Sequence, residues 1–260
     1  VTATVGLCAE RFPRELGHSR WLPFADAEGG LRLYCLPHAG GSASAFRPWI
    51  GRIPGVSVLP VQYPGRETRL RETPHSRIPE LAAELAEALL ADAQDAPYAV
   101  YGHSFGALTA FELMHVIRSL GGPMPVHLVV SGFSAPQAED FADDAVTDEE
   151  IIALLRDLGG TPEQYLTDRR ILKMIMPPLR ADLTAKVAYR YMPRPELDVP
   201  ILALGGIEDR QAEFDSMRGW GAQTTAGFRL HPLAGGHFAV LERSDETLAA
   251  ISEALAPHVS

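Results

Sequence analysis

The pentapeptide Gly102-His103-Ser104-Phe105-Gly106 constrains this chain more than any other feature, because of what flanks it. Tyr98-Ala99-Val100-Tyr101 reads as a short apolar strand, and Ala107 to Leu120 reads as a helix that stops at Gly121-Gly122-Pro123. A G-x-S-x-G sequence with a strand directly before it and a helix directly after it describes a sharp strand–turn–helix connection. The serine sits at the apex of that turn and the glycines keep side chains out of the crossing. Such a connection belongs to a parallel sheet, and it presents the Ser104 hydroxyl to a cleft and to a helix N-terminus that favours developing negative charge. A purely structural turn is the alternative reading.

The rest of the chain repeats the strand–helix rhythm. Leu31 to Leu36 reads as a strand ending at Pro37, followed by the loop His38 to Ser44 and a short helix over Ala45 to Ile50. Val56 to Val61 is a second strand, with a turn at Gln62 to Arg66. Residues 79–93 form the clearest helix, with Pro79 in its first turn and Leu81, Leu85 and Leu89 on one face. Val126 to Val130, Ile201 to Leu204 and Phe228 to His231 are further strands; a helix falls within 211–222 and another closes the pattern at Thr247 to Leu255. The fold class expected is α/β: a mostly parallel central sheet flanked by helices on both faces.

Between Gln137 and Pro195 the strands disappear. Thr147 and Glu150 have capping-box spacing and open a helix that ends at Gly159-Gly160. Residues 167–176 and 179–190 give two more helical candidates, separated by Pro177-Pro178. The expectation is a single domain over 1–260 with a helical lid at 135–190 above the C-terminal edge of the sheet; extra helical packing is the alternative. Residues 1–22 show no periodicity and read as a loosely attached lead-in.

Composition removes several function classes. Lys+Arg 23 against Asp+Glu 33 gives a net charge of −10, which disfavours general nucleic-acid binding. The absence of a long apolar run or a signal-peptide pattern makes a membrane association unexpected and a cytoplasmic location the default. Two cysteines, Cys8 and Cys35, do not make a disulfide framework, and Cys35 within a strand reads as a small buried hydrophobe. No histidine or cysteine grouping has metal-ligand spacing, and the Gly pairs match neither the phosphate loop nor the dinucleotide fingerprint.

A serine needs a base to become a nucleophile. Of the nine histidines, His103 adjoins Ser104 on a sharp turn, His115 lies inside a helix, His18 and His258 lie near the ends, and His231 lies within a strand. His237 follows the last strand in the turn Gly235-Gly236-His237-Phe238, where a base following the serine in sequence is expected. The acid should lie between them, past the end of a strand. Asp209 after ILALGG fits, with Glu208 as the alternative, whereas Asp198 precedes that strand and Asp215 falls in the next helix. The two N–H donors for an oxyanion are assigned to Phe105, directly after the serine, and to Ala39 in the loop after the first strand.

Taken together, LPHAGGSASAFRPW at 36–49, VQYPGRETR at 61–69, YGHSFGALTAFEL at 101–113, PPLRADL at 177–183, PILALGGIED at 200–209 and GGHFAV at 235–240 occur in order. From about residue 21 onward the chain resembles the stand-alone type II thioesterases that accompany modular polyketide and nonribosomal peptide synthetases. The resemblance implies an α/β-hydrolase with a helical lid, and an editing activity that hydrolyses stalled or misprimed acyl groups from acyl or peptidyl carrier proteins. It places the catalytic serine, acid and base on Ser104, Asp209 and His237, and the oxyanion donors on Ala39 and Phe105. It implies no bound cofactor, the phosphopantetheine being carried by the substrate protein; a monomer is expected. Phe133, Met174, Met176 and Leu179 are candidate acyl contacts, and Arg66, Arg69, Arg71, Arg169 and Arg170 are candidate contacts to an acidic carrier. A product-releasing or cyclising enzyme, a general carboxylesterase and a non-catalytic carrier-binding scaffold are the rival readings.

Overall fold

Six strands, all parallel, form one sheet: β1 (Leu31–Leu36), β2 (Val56–Pro60), β3 (Tyr98–His103), β4 (His127–Ser131), β5 (Ile201–Gly206) and β6 (Phe228–Leu233), in the spatial order β2-β1-β3-β4-β5-β6. The computed structural model describes residues 20–24, 30–138 and 147–259. Cys8 and His18 therefore lie outside the described residues, as do most of the lead-in and positions 139–146 of the helical stretch.

Period-two alternation sorts the strand side chains to two faces. Tyr34, Leu36, Val100, Leu128, Val130, Ile201 and Ala203 face one cluster, shared with α1 (Ile78–Ala93) and α2 (Phe105–Ser119). Leu33, Cys35, Ala99, Tyr101, Val129, Leu202 and Leu204 face the other, shared with α7 (Ser244–Leu255) and with Phe46 and Trp49. Burial on both faces is why the central strands read as continuous apolar runs. Cys35 is fully buried, as its setting suggested, and burial pushes its thiol well above the usual range.

Between β4 and β5 the chain forms α3 (Asp148–Leu158), α4 (Glu163–Thr167) and α5 (Arg169–Val187). The Thr147–Glu150 capping box is made reciprocally: Glu150 N–H donates to Thr147 Oγ1 at 3.3 Å, and Thr147 N–H donates to Glu150 Oε2 at 2.8 Å. The expected break at Pro177-Pro178 does not occur. Both prolines lie inside the 19-residue helix α5. Met176, Leu179 and Leu183 bury one face of it with Ile151 of α3, so tertiary packing outweighs the backbone hydrogen bonds that the prolines remove.

Other departures are local. The helix expected over Ala45–Ile50 is a 3₁₀ helix at Ala43–Trp49, and the one expected within 211–222 is a 3₁₀ helix at Ser216–Gln223. Strand β3 runs on through His103, and α2 starts at Phe105 rather than Ala107, so that Ser104 alone is the turn. The end of the lead-in is not loose: Trp21 and Leu22 are buried, with the Arg69 guanidinium 4.2 Å from the centre of the Trp21 ring. After β6 a short α6 (Ala239–Glu242) leads into α7.

Candidate active site

The strand order changes direction at β1, whose neighbours are β2 on one side and β3 on the other. The loops leaving β1 and β3 therefore diverge and open a crevice at the C-terminal edge of the sheet. Both the 38–41 loop and Ser104 stand at that crevice.

Ser104 has φ +55° and ψ −117°, a left-handed conformation that a side chain rarely adopts. The surroundings enforce it. Its N–H donates to the Ser131 carbonyl at the end of β4 at 2.7 Å, and its own carbonyl accepts from Ala107 N–H at 2.8 Å. Gly106 is obligatory because a Cβ there would lie 2.2 Å from the Leu36 carbonyl oxygen, so β1 and the start of α2 touch backbone to backbone. Phe105 is the first residue of α2; its N–H has no acceptor within the helix and is a free donor beside the serine.

Asp209 follows β5 and His237 follows β6, and the structure brings the two together: His237 Nδ1 lies 2.9 Å from Asp209 Oδ2, with both side chains buried. Burial opposes ionisation of Asp209, but hydrogen bonds from His237 and from the backbone N–H groups of Gln211 (2.8 Å) and Ala212 (3.2 Å) outweigh it and hold the carboxyl below its usual range. An ionised Asp209 only accepts, so Nδ1 of His237 carries the proton and Nε2 is left with a lone pair. Glu208, the alternative acid, instead uses its backbone N–H to tie the two loops, donating to Gly235 at 3.0 Å.

The His237 ring stands beside the elbow. It is 5.0 Å from the ring of His103, and a Cβ on Gly132 would lie 3.1 Å from its Cε1; Gly132 directly follows the Ser131 that holds Ser104. His103 turns away from the serine, with Nδ1 3.0 Å from Ser131 Oγ, and burial drives its pKa well below the ordinary histidine value. His38 packs edge-on to Phe238 at 5.0 Å and to His103 at 5.7 Å; removal from water, with the His237 ring and the Arg66 guanidinium nearby, lowers it to about 4. Of the three, His237 is the one hydrogen-bonded to a carboxylate.

The remaining expected site residues divide. Ala39 lies in the crevice loop and packs against the cluster of Ile151, Met176, Leu179 and Leu183. Leu179 and Met176 line that cluster, Phe133 is buried in the main core with its carbonyl accepting from Trp220 Nε1 at 2.8 Å, and Met174 is exposed. Arg71, Arg169 and Arg170 are on the surface. Arg66 and Arg69 are not, which corrects the expectation that they face a carrier protein. Arg66 is 5% exposed and forks onto Asp182 at 2.6 and 2.9 Å; Arg69 is 3% exposed and forks onto Glu72 at 2.9 and 2.6 Å. In a turn followed by a three-residue 3₁₀ helix, Glu67–Arg69, no periodicity tells which way an arginine points. Asp182 was missed altogether, although an acid between Leu179 and Leu183 on one helical face is a legible signal of a buried charge.

Among the described residues no grouping of histidine, cysteine, aspartate and glutamate could hold a metal ion. No helix among them is long and apolar enough to cross a membrane.

A serine on a strained elbow beside a carboxylate-held imidazole is equipped for acyl transfer. Known proteins that this chain resembles include thioesterases. The thioesterase domain model matches residues 31–255. The gramicidin S biosynthesis protein GrsT of Aneurinibacillus migulanus is 37% identical over 238 residues, covering 88% of this chain and 91% of the relative. The type II thioesterase BorB of the borrelidin biosynthetic cluster superposes with a TM-score of 0.82 at 39% identity, over 93% of this chain and all of the other (100%). RedJ, the thioesterase of the prodiginine pathway in Streptomyces coelicolor, superposes with a TM-score of 0.81 at 38% identity, over 98% and 97% of the two chains. With its sheet order, its serine elbow and this match along most of its length, the chain belongs to the thioesterase family of α/β-hydrolase fold, and is a serine thioester hydrolase.

Proposed function

We propose that the enzyme hydrolyses aberrant or stalled acyl groups from the phosphopantetheine arm of acyl or peptidyl carrier proteins, with Ser104 as nucleophile, His237 as base and Asp209 as its orienting acid. The observation that carries the reading is the 2.9 Å Asp209–His237 pair beside the Ser104 elbow. It is supported by the names of the relatives, which place GrsT in gramicidin S biosynthesis, BorB in the borrelidin biosynthetic cluster and RedJ in the prodiginine biosynthetic pathway.

Ser104 Oγ attacks the thioester carbonyl carbon while His237 Nε2 takes its proton, and the oxyanion is held by the N–H groups of Ala39 and Phe105. The C–S bond breaks, the leaving sulfur takes the proton from the imidazolium, and an acyl-serine remains. Water, deprotonated by His237, attacks that ester; Ser104 recovers its proton and the free acid departs. The enzyme's own chemistry uses no metal and no bound cofactor in this scheme.

The same reading assigns α3 to α5 as a lid inserted in a single domain, with Met176 and Leu179 lining the acyl path. Phe133 and Met174 extend that set, and the exposed Arg71, Arg169 and Arg170 meet the acidic carrier. The protein works as a monomer in the cytoplasm.

The test is intact-protein mass spectrometry of carrier proteins loaded with acetyl, propionyl, malonyl and longer chains, incubated with wild type and with Ser104→Ala. Loss of acyl mass with wild type alone is expected, short or incorrect chains being removed faster than pathway-length ones. Hydrolysis of simple esters with all carriers left intact would replace the reading with a carboxylesterase.

A further inference from the structure

The buried ion pair of Arg66 and Asp182 connects three segments that are remote in sequence. Asp182 comes from α5, Arg66 from the turn after β2, and between them lies the 38–41 loop. The N–H of Gly40 donates to Asp182 Oδ2 at 2.8 Å, and Arg66 Nη1 donates both to Asp182 Oδ2 at 2.6 Å and to the Gly41 carbonyl at 3.1 Å. Two consecutive residues after Ala39 are thus pinned, one by its N–H and the other by its C=O. Sterics tighten the same joint: Gly40 has φ +69°, and a Cβ on it would lie 3.1 Å from Leu179, so α5 rests on the backbone of the loop.

The geometry points to Arg66 and Asp182 as a positioning pair that aims the Ala39 N–H at the oxyanion and couples that donor to helix α5. The inference rests on the proposed role of Ala39. Neither side chain need touch substrate. A carboxylate bonded to the residue next to an oxyanion donor would by itself repel the charge that develops there; the bidentate guanidinium neutralises it while leaving its hydrogen bond to Gly40 intact. Arg66 therefore has two tasks, holding Gly41 and cancelling Asp182, and its loss should be worse than the loss of the Asp182 charge. Because Asp182 belongs to α5, any shift of that helix along the loop is transmitted to the donor.

The experiment compares wild type, Asp182→Asn, Arg66→Met and the double variant. It reads kcat and KM on an N-acetylcysteamine thioester, the affinity for an alkylboronic acid that forms a tetrahedral adduct on the serine, and the thermal midpoint. Displacing an aligned group by a fraction of an ångström costs about 10- to 100-fold in rate. Asp182→Asn, which keeps an acceptor for Gly40, should lie at the low end of that range in kcat with KM nearly unchanged. Arg66→Met should lie at the high end, and boronate affinity should fall in step with kcat. The double variant, lacking the uncompensated carboxylate, should recover part of the Arg66→Met loss; replacing both partners of a buried pair is tolerated far better than replacing one, so it also serves if a single variant does not fold. Folded variants with kcat and boronate affinity within twofold of wild type, whatever their thermal midpoints, would reduce the pair to a structural tie. If wild type acts through Ser104 and the variants match it, this inference fails alone; if Ser104→Ala retains wild-type turnover, the activity reading fails and takes the pair's role with it.

Discussion

The imidazole of His103 lies 5.0 Å from that of His237, the two planes tilted by 41°, yet the two rings have different partners. His237 is paired with a carboxylate, while His103 faces the Ser131 hydroxyl and is kept neutral by burial. A charged His103 would repel the imidazolium that the proposed mechanism forms at His237.

That neutrality has a measurable price in acid. The folded-state pKa of His103 is far below the ordinary 6.5, so below that pH the unfolded chain takes up a proton that the folded one refuses. Stability contributed by the neutral ring is complete above pH 6.5 and is lost as pH falls. The loss grows with each further step of pH below 6.5. In His103→Phe the lost Ser131 contact destabilises at pH 7.5 by about 1 kcal/mol. The gap to wild type should then shrink or reverse at pH 5. Urea unfolding at the two pH values checks this, and an unchanged gap would refute it.

The Ser104 backbone supplies a second prediction. A residue with a side chain held at φ +55° and ψ −117° stores about 1–3 kcal/mol of strain. Ser104→Gly should therefore be more stable than Ser104→Ala by about 1 kcal/mol, or a thermal midpoint higher by about 2–4 °C. Both variants should lack hydrolysis. Equal midpoints would show that the elbow is not strained.

A third concerns the segment after α5. Glu112, buried on α2, accepts from Tyr189 Oη at 2.6 Å and from both terminal nitrogens of Arg194, whose guanidinium carbon also lies 5.6 Å from the centre of the Phe111 ring. Glu112→Ala leaves Arg194 uncompensated and should destabilise by about 3 kcal/mol, whereas Glu112→Leu with Arg194→Met should recover most of that loss. Denaturant titrations of the three proteins decide it.

The parts of the molecule legible in the sequence are those with local signals. The β3–α2 elbow could be placed because apolar strand, glycines and helix adjoin within a few residues, and Asp209 and His237 could be picked out because each follows an apolar strand into a glycine turn. What could not be read depends on partners far along the chain. Arg66 and Asp182 are separated by 116 positions, and only the folded chain turns the arginine inward. Pro177-Pro178 misled for a related reason: the proline rule is local, while the burial of Met176 and Leu179 that keeps α5 continuous is not.

The strand order also bears on when the enzyme becomes active during its own synthesis. Strand β6, which carries His237 at its end, forms an edge of the sheet and can dock only on β5, which is itself made after the whole α3–α5 stretch. The elbow of Ser104, by contrast, is enclosed by β1, β3 and β4, all of them made earlier. A nascent chain emerging from the ribosome thus completes the Ser104 elbow before the strand that carries His237 can dock. Until β6 docks, the Asp209–His237 pair is missing from the crevice, so under the proposed mechanism a partly made chain lacks its base.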